Sequence, residues 1–474
     1  MAEQWSCDVC VIGAGSGGLS VAAGASQMGA DVVLLEKGRM GGDCLNTGCV
    51  PSKALLAAAH AAESVRRAGR FGVLGASTFG IDSQRVQDHV RATIDAIAPH
   101  DSVERFESLG VRVIQQAGRF VDEQTVQAGQ IRIRARRFVI ATGSRPAIPA
   151  IPGLDATPYF TNENLFENAA PTPRLLVIGG GPIGVEMAQA YRRLGAEVTL
   201  LVRSRLLPKE DPELVDVARQ ALRAEGVDIR EGVTVKHARE SHGGVELEIL
   251  QNGAPSTLQG SHLLVATGRA PNVEGLGLEK ARLSHSHRGV HVDARLRTSA
   301  PHIYAIGDVI NGPLFTHAAG YHAGIVIRNI LFRLPAKADA AIPRVTYCDP
   351  ELAHVGLSEA EAAARGQSYR VLRKPFAEND RARAEGRTAG LIKVVLGKRG
   401  HILGASLVGP HAGELIQPWI LAITQKMKIG AMAGYIAPYP TLGEINKGVA
   451  GAAFTSALYS PTMRKWVRWL MKLG

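Results

Sequence analysis

The sequence predicts an α/β protein built around two parallel strand–turn–helix–strand units. Three observations carry this. A hydrophobic strand, a Gly-rich turn and an apolar-periodic helix occur in succession near the N-terminus. The same succession recurs near residue 175. The chain has 474 residues, too many for one hydrophobic core and enough for roughly two to four domains.

The first unit reads as a strand over 9–12, the turn Gly13-Ala14-Gly15-Ser16-Gly17-Gly18, a helix from 19 to about 28, and a strand over 31–35 that ends at Glu36. The turn is GxGxxG, and each part of the unit has a physical use. Gly13 permits the turn, Gly15 lets a pyrophosphate approach the backbone, and Gly18 allows close helix–strand packing. The helix N-terminus offers unpaired N–H groups and the positive end of its dipole to phosphates. Glu36 is placed to accept hydrogen bonds from an adenosine ribose. The unit is therefore Rossmann-like and dinucleotide-binding.

The second unit comprises a strand over 175–178, the turn Gly179-Gly180-Gly181-Pro182-Ile183-Gly184, a helix from about 185 to 194 and a strand over 197–202. Its Gly179, Gly181 and Gly184 correspond to Gly13, Gly15 and Gly18. Two such sites imply two cofactors with electron transfer between them. The copies differ at one telling place. Glu36 lies 18 residues after Gly18, and the same offset from Gly184 falls on Val202, followed by Arg203, Arg205 and Lys209. A carboxylate repels a ribose 2′-phosphate and a guanidinium pairs with it. The second site is expected to prefer NADPH to NADH.

Composition is that of a globular protein, 46% hydrophobic and 20% charged. The net charge of +11 comes from 54 Lys and Arg against 43 Asp and Glu. The basic residues are scattered, and no nucleic-acid-binding motif is present, so nucleic acid is not an expected partner. No apolar run is long enough to span a bilayer. The chain enters its first strand without the charged and apolar regions of an export signal, and a cytoplasmic location is expected.

Five cysteines, an odd and small number, argue against a disulfide-stapled secreted fold. In a reducing compartment a functional pair is more often catalytic than structural. Cys44 and Cys49 lie five apart just before a helical stretch, 52 to about 66. A helix N-terminus and Lys53 would both lower a thiolate pKa, and the thiolate is the nucleophile. The pair directly follows the first nucleotide unit, so the thiols are expected against that cofactor's redox ring. Cys7 and Cys10 share a buried strand without a metal-ligand set and read as core, as does Cys348. No metal site is expected.

The run Gly41-Gly42-Asp43-Cys44-Leu45-Asn46-Thr47-Gly48-Cys49-Val50-Pro51-Ser52-Lys53 resembles the signature of the class I pyridine nucleotide–disulfide oxidoreductases. That family contains dihydrolipoamide dehydrogenase, glutathione reductase and mercuric reductase, and the resemblance covers nearly the whole chain. It implies FAD at the first site, a nicotinamide nucleotide at the second, and a homodimer formed through an α+β C-terminal dimerisation domain. Thr142 and Gly143 in Ala141–Pro146, and Gly268 in Ala266–Arg269, resemble the linking ATG strands. Ile306-Gly307-Asp308 resembles the second flavin motif, in which Asp308 binds the ribityl chain. Lys53 resembles the lysine near the flavin N5, with Glu186 its expected partner. His317 falls in the region that starts a helix beneath the flavin, and with His322 reads as either a flavin-polarising or a structural histidine. By resemblance, Cys49 is the thiol in contact with the ring and Cys44 the interchange thiol that meets the substrate.

The sequence departs from the family pattern in one place that matters. Disulfide-reducing members carry a catalytic His followed by Pro, with a Glu five positions after the His. Here Glu444 is present but the His position holds Tyr439. A phenol with pKa of about 10 is a poor base at neutral pH, which counts against ordinary lipoamide or glutathione turnover. A Tyr here resembles mercuric reductase, as does the Arg-containing stretch after Val202. Against that resemblance, residues 1–474 show neither the C-terminal Cys pair nor the N-terminal metal-carrying domain that mercuric reductases carry. A packing aromatic at the dimer interface is the other reading of Tyr439.

The tail 461–474 is basic and amphipathic, with Arg464, Arg468 and Lys472 opposite Trp466, Trp469, Leu470 and Leu473. It suits either a terminal helix docked on its own dimer or peripheral contact with an anionic membrane. The expected organisation is an FAD-binding domain over 1–150, an NAD(P)H-binding domain over 151–270, a central return segment over 271–341 and a dimerisation domain over 342–474. The function expected is mercuric-reductase-like: electrons pass from NADPH through FAD to Cys44–Cys49 and on to a small-molecule or metal-ion acceptor. A dihydrolipoamide dehydrogenase-type activity, a quinone-like acceptor and a non-enzymatic flavoprotein redox sensor are the alternatives.

Overall fold

The structure is a computed structural model and describes residues 3–74 and 79–473. The chain divides into two compact units, 1–203 with 232–339, and 204–231 with 340–474.

The first unit is centred on a sheet in which Val111–Ile114, Val32–Leu35, Glu3–Ile12 and Ile131–Ile140 lie side by side in parallel. Ile303–Ala305 adds a further parallel strand beside Ile131–Ile140. Central parallel strands are covered on both faces and read as continuous hydrophobic runs rather than alternation. Val9 to Ile12 and Val32 to Leu35 accordingly bury every side chain. The helix Ser16–Gln27 packs on this sheet and against the helix Thr316–Leu331. Small residues set that approach, since a Cβ on Gly24 would lie 2.5 Å from Ile327 Cδ1.

The second dinucleotide-type unit has the parallel strands Glu197–Val202, Arg174–Ile178 and His262–Val265, with the helix Pro182–Arg193. The antiparallel strands Val233–Ser241, Gly244–Gln251 and Ala254–Gly260 accompany it. Ser144–Pro146 pairs with Arg269–Pro271 where the chain enters and leaves this unit.

In the second unit Arg344–Thr346, Glu351–Gly356, Ile402–Gly409, Leu391–Leu396 and Arg370–Pro375 form an antiparallel sheet in that spatial order. The helices Gln417–Thr424 and Glu444–Leu458 cover it. Trp419 is fully buried between them, with its indole N–H donating to Asn446 Oδ1 at 2.8 Å. The buried Lys393 ammonium binds Asp211, Glu213 and Glu359 at 2.7, 3.1 and 2.7 Å. This fixes the helix Pro212–Ala224 within the same unit.

Two Rossmann-like units and an α+β segment are therefore present, as the sequence predicts. Helix starts differ in a consistent direction. The three predicted starts at 19, 185 and 52 lie at Ser16, Pro182 and Cys49. The last Gly residues of each turn, and Pro51, are already helical. A helix's first turn needs no intrahelical N–H, so Pro is tolerated there. Among the described residues no helix is long and apolar enough to cross a membrane.

Candidate active site

Both Gly turns are packed from behind and open in front. At the first, a Cβ on Gly18 would lie 1.8 Å from the Gly13 carbonyl oxygen, and one on Gly13 would lie 2.4 Å from that of Ala141. A Cβ on Gly15 meets nothing within 4 Å. Behind Gly15 the helix N-terminus carries no side-chain cap, so its N–H groups are directed at the open side. Glu36 ends its strand, with its carboxylate accepting from Ala14 N at 2.6 Å and Gly38 N at 2.8 Å. The second turn repeats the geometry. Cβ atoms on Gly184 and Gly179 would lie 1.9 and 2.2 Å from carbonyl oxygens, and Gly181 faces open space. Val202 is buried against Gly180. Arg203, Arg205 and Lys209 are exposed. Arg203 closes the first unit, and the other two belong to the second.

The Cys segment is tied directly to the first turn. Gly41 N donates to Ala14 O at 3.0 Å, and Gly42 approaches so closely that a Cβ there would lie 2.7 Å from Gly15 Cα. Gly41 and Gly42 have φ of +86° and +59°, a region that favours glycine. Cys44 lies in the short helix Gly42–Asn46, and Cys49 is the first residue of the helix Cys49–Arg67. Both are thiols and they hydrogen-bond to each other. That bond and burial push the Cys44 thiol far up. Cys49 is lowered to about 6, first by the Cys44 hydrogen bond, then by Thr316 and the Lys53 charge, with burial opposing. Thr316 Oγ1 lies 3.4 Å from Cys49 Sγ. Cys49 is therefore the more acidic thiol of the pair and Cys44 the less acidic.

Lys53 lies one turn further along the Cys49 helix. Its Nζ donates to Glu186 Oε2 at 2.9 Å, and Glu186 is buried. The expected pairing is thus present, and it joins the Cys helix to the helix Pro182–Arg193.

A polar network gathers around the linking strands. Asp308 accepts from Ser144 Oγ at 2.7 Å, and burial holds its carboxyl above the usual range. Arg269 donates to Ser144 Oγ at 2.7 Å and lies 3.2 Å from Asp43 and 3.6 Å from Asp308. Asp43 also accepts from Thr47 and Asn162, each at 2.8 Å. Thr142 exchanges hydrogen bonds with Asn272, its Oγ1 donating at 2.8 Å. Gly143, Gly268 and Gly307 take φ of +68°, +138° and +70°, which no branched residue adopts without strain. His322 is buried, and its Nδ1 accepts from Gly307 N at 3.3 Å, so it supports the Gly307–Asp308 turn. His317 is exposed and stacks on Phe315 with ring centroids 5.1 Å apart.

In the second unit Tyr439 is 72% exposed. Its hydroxyl donates to Asp380 Oδ2 at 3.2 Å. That hydrogen bond, with the Asp380 charge, raises the phenol above its ordinary value of 10.0. Glu444 opens its helix and accepts from Thr441 N at 3.3 Å. Cys7 and Cys10 are buried, and burial pushes Cys7 up to about 12. No group of three metal-ligating side chains occurs among the described residues.

Thr316, Arg269 and Asp380 were not among the sequence candidates. Thr316 is separated from Cys49 by 267 positions. No local spacing signals that contact.

A model of the pyridine nucleotide–disulphide oxidoreductases matches residues 7–323, and one of their dimerisation domain matches 342–449. The chain belongs to this family. It is an FAD-dependent, pyridine-nucleotide-using oxidoreductase whose dimerisation domain makes a homodimer. Among its relatives, a mercuric reductase of Staphylococcus aureus is 34% identical, over 94% of this chain and 82% of the relative. A dihydrolipoyl dehydrogenase of Geobacillus stearothermophilus is also 34% identical, over 95% and 97%. A solved structure, the Cu(II) complex of the HOCl-induced flavoprotein disulfide reductase RclA from Escherichia coli, superposes with a TM-score of 0.84 at 26% identity. That match covers 94% of this chain and 99% of that one.

Proposed function

We propose that this enzyme is an NADPH-dependent, mercuric-reductase-like oxidoreductase in which Cys44 and Cys49 deliver two electrons to a thiol-binding acceptor, foremost a soft metal ion. The observation that carries the reading is the seating of the pair: Cys49 opens its helix with Thr316 Oγ1 at 3.4 Å and the Lys53–Glu186 ion pair one turn on. These neighbours and Cys44 lower the Cys49 thiol, while Cys44 is raised.

Gly13, Gly15, Gly18 and Glu36 hold the FAD adenosine diphosphate in this reading, and Asp308, Thr142, Gly143 and Gly268 line its further course. Gly179, Gly181 and Gly184 hold NADPH. Val202 removes the carboxylate that would repel a 2′-phosphate, and Arg203 supplies a pairing charge. Bound FAD supplies the two-electron relay between the nicotinamide hydride and the cysteine pair. Lys53, oriented by Glu186, keeps a positive charge beside the Cys49 thiolate. When the pair passes two electrons to a bound M(II), the metal is reduced to M(0). Cys44 loses its proton, and the two sulfurs join as a disulfide.

Tyr439 favours a metal over a disulfide. Disulfide exchange needs a base for Cys44, and a phenol, raised further here by Asp380, is a poor base at neutral pH. A soft cation displaces a thiol proton by coordination and needs no such base. The dihydrolipoyl dehydrogenase relatives supply the second reading, turnover of a small disulfide.

The test is steady-state NADPH oxidation by the holoenzyme with Hg(II) in excess thiol, with lipoamide and with a benzoquinone, run beside Cys44→Ser and Cys49→Ser. Cysteine-dependent turnover with Hg(II) is expected. Turnover confined to lipoamide, or unaffected by both substitutions, overturns the reading.

A further inference from the structure

We infer that the C-terminal helix Pro461–Leu470 is a peripheral anchor that lies in the surface of an anionic lipid bilayer. The helix buries none of its residues. Trp466 and Trp469 are 57% and 53% exposed, and their rings meet edge to face at 5.7 Å. It also lies beyond the matched dimerisation domain, which ends at residue 449.

The two faces are largely segregated. Successive helical residues advance by about 100°. Met463, Trp466, Val467 and Leu470 then fall within an arc of roughly 100°, with Trp469 about 60° outside it, toward Lys465. Arg464, Arg468 and Lys465 occupy the opposite arc, and Lys472 follows the helix. No Asp or Glu occurs after Glu444, so no acid on this segment neutralises the cations.

The choice of occupant rests on charge. A second copy of this chain, with the same net charge of +11, offers that cationic face no overall excess of negative charge. An anionic headgroup layer complements that face. Beneath it, the acyl boundary accepts the apolar arc, and indoles prefer this interface because one edge is apolar and the other can hydrogen-bond. Long Arg and Lys stems reach from an in-plane helix to the headgroups. The attraction grows with each cation near an anionic surface and falls off within a Debye length.

The experiment uses the full-length holoenzyme with two vesicle preparations, phosphatidylglycerol mixed with phosphatidylcholine, and phosphatidylcholine alone. Flavin absorbance in the pellet reports binding, and light scattering reports the oligomeric state. Binding to the anionic vesicles is expected to exceed that to neutral ones by about tenfold or more, and to fall as salt is raised. Trp466→Ala with Trp469→Ala, or Arg464→Gln with Lys465→Gln and Arg468→Gln, should each abolish most of it. Truncation after Tyr459 should abolish it while leaving a dimer with unchanged turnover. Absent or composition-independent binding overturns the inference. So does a truncated enzyme that falls to monomers, because the helix would then cover a second copy. None of these results depends on the identity of the electron acceptor.

Discussion

Replacing Thr316 by Val should raise the titration midpoint of Cys49 without altering the fold. Val keeps the β-branched shape and removes the hydroxyl that lies 3.4 Å from Cys49 Sγ. A hydrogen bond to a charged group is worth about 1.5–3 kcal/mol. Cys49 lies at the surface with its sulfur partly desolvated, so solvent screening reduces this to about 1 kcal/mol. That corresponds to roughly 0.7 on the pH scale. The midpoint should move from about 6 to nearly 7. At pH 7 the thiolate fraction then drops from about nine-tenths to roughly two-thirds. The assay is the rate of iodoacetamide alkylation at Cys49 in the reduced enzyme across pH, read by peptide mass spectrometry. Cys44→Ala removes the largest lowering influence and should raise the midpoint further. A wild-type midpoint near the ordinary thiol value, or variants that titrate with the wild type, would refute this account of what lowers Cys49.

Lys53→Met leaves the buried Glu186 without its ammonium partner. Because Lys53 is 38% exposed, the loss is screened to about 1–3 kcal/mol, and thermal unfolding should show it, with Glu186→Gln restoring part. Gly184→Ala drives a Cβ to within 1.9 Å of a carbonyl oxygen. NADPH-driven flavin reduction in stopped flow should slow by about tenfold or more, while flavin absorbance stays. Gly181→Ala should leave folding unchanged and raise KM for NADPH. His354 is buried, its Nδ1 2.7 Å from Ser406 Oγ and its Nε2 2.9 Å from Gly356 O, and burial lowers it from 6.5 to about 4. Above pH 6.5 it is neutral folded or unfolded. Below that, only the unfolded chain takes the proton, so stability should fall between pH 6.5 and 4 by up to about 3 kcal/mol. Urea melts of His354→Gln should lack that slope.

What the sequence determined by itself is whatever local spacing and chain chemistry encode. The Gly turn between strand and helix is a local steric requirement, because only Gly admits the carbonyl at 1.8 Å behind Gly18. The two Rossmann-like units, the loss of the acid at Val202, the Cys44 and Cys49 motif and the Tyr439 substitution were therefore legible in one dimension. The amphipathic tail was legible too, since its period is helical. Helix starts were read three residues late, because hydrophobic periodicity begins only after the polar and Gly residues of the first turn. Tertiary structure alone decided which groups meet across the chain. Thr316 reaches Cys49 because the helix it begins packs against the helix of the first Gly turn. Arg269, Asp43 and Asp308 meet because the linking strands return beside the Cys segment. His322, rather than His317, supports the Asp308 turn, and Asp380 raises the Tyr439 phenol further above its ordinary value. Electrostatic control of a thiol or a phenol acts through space over a few ångströms, so it is set by packing between elements distant in sequence.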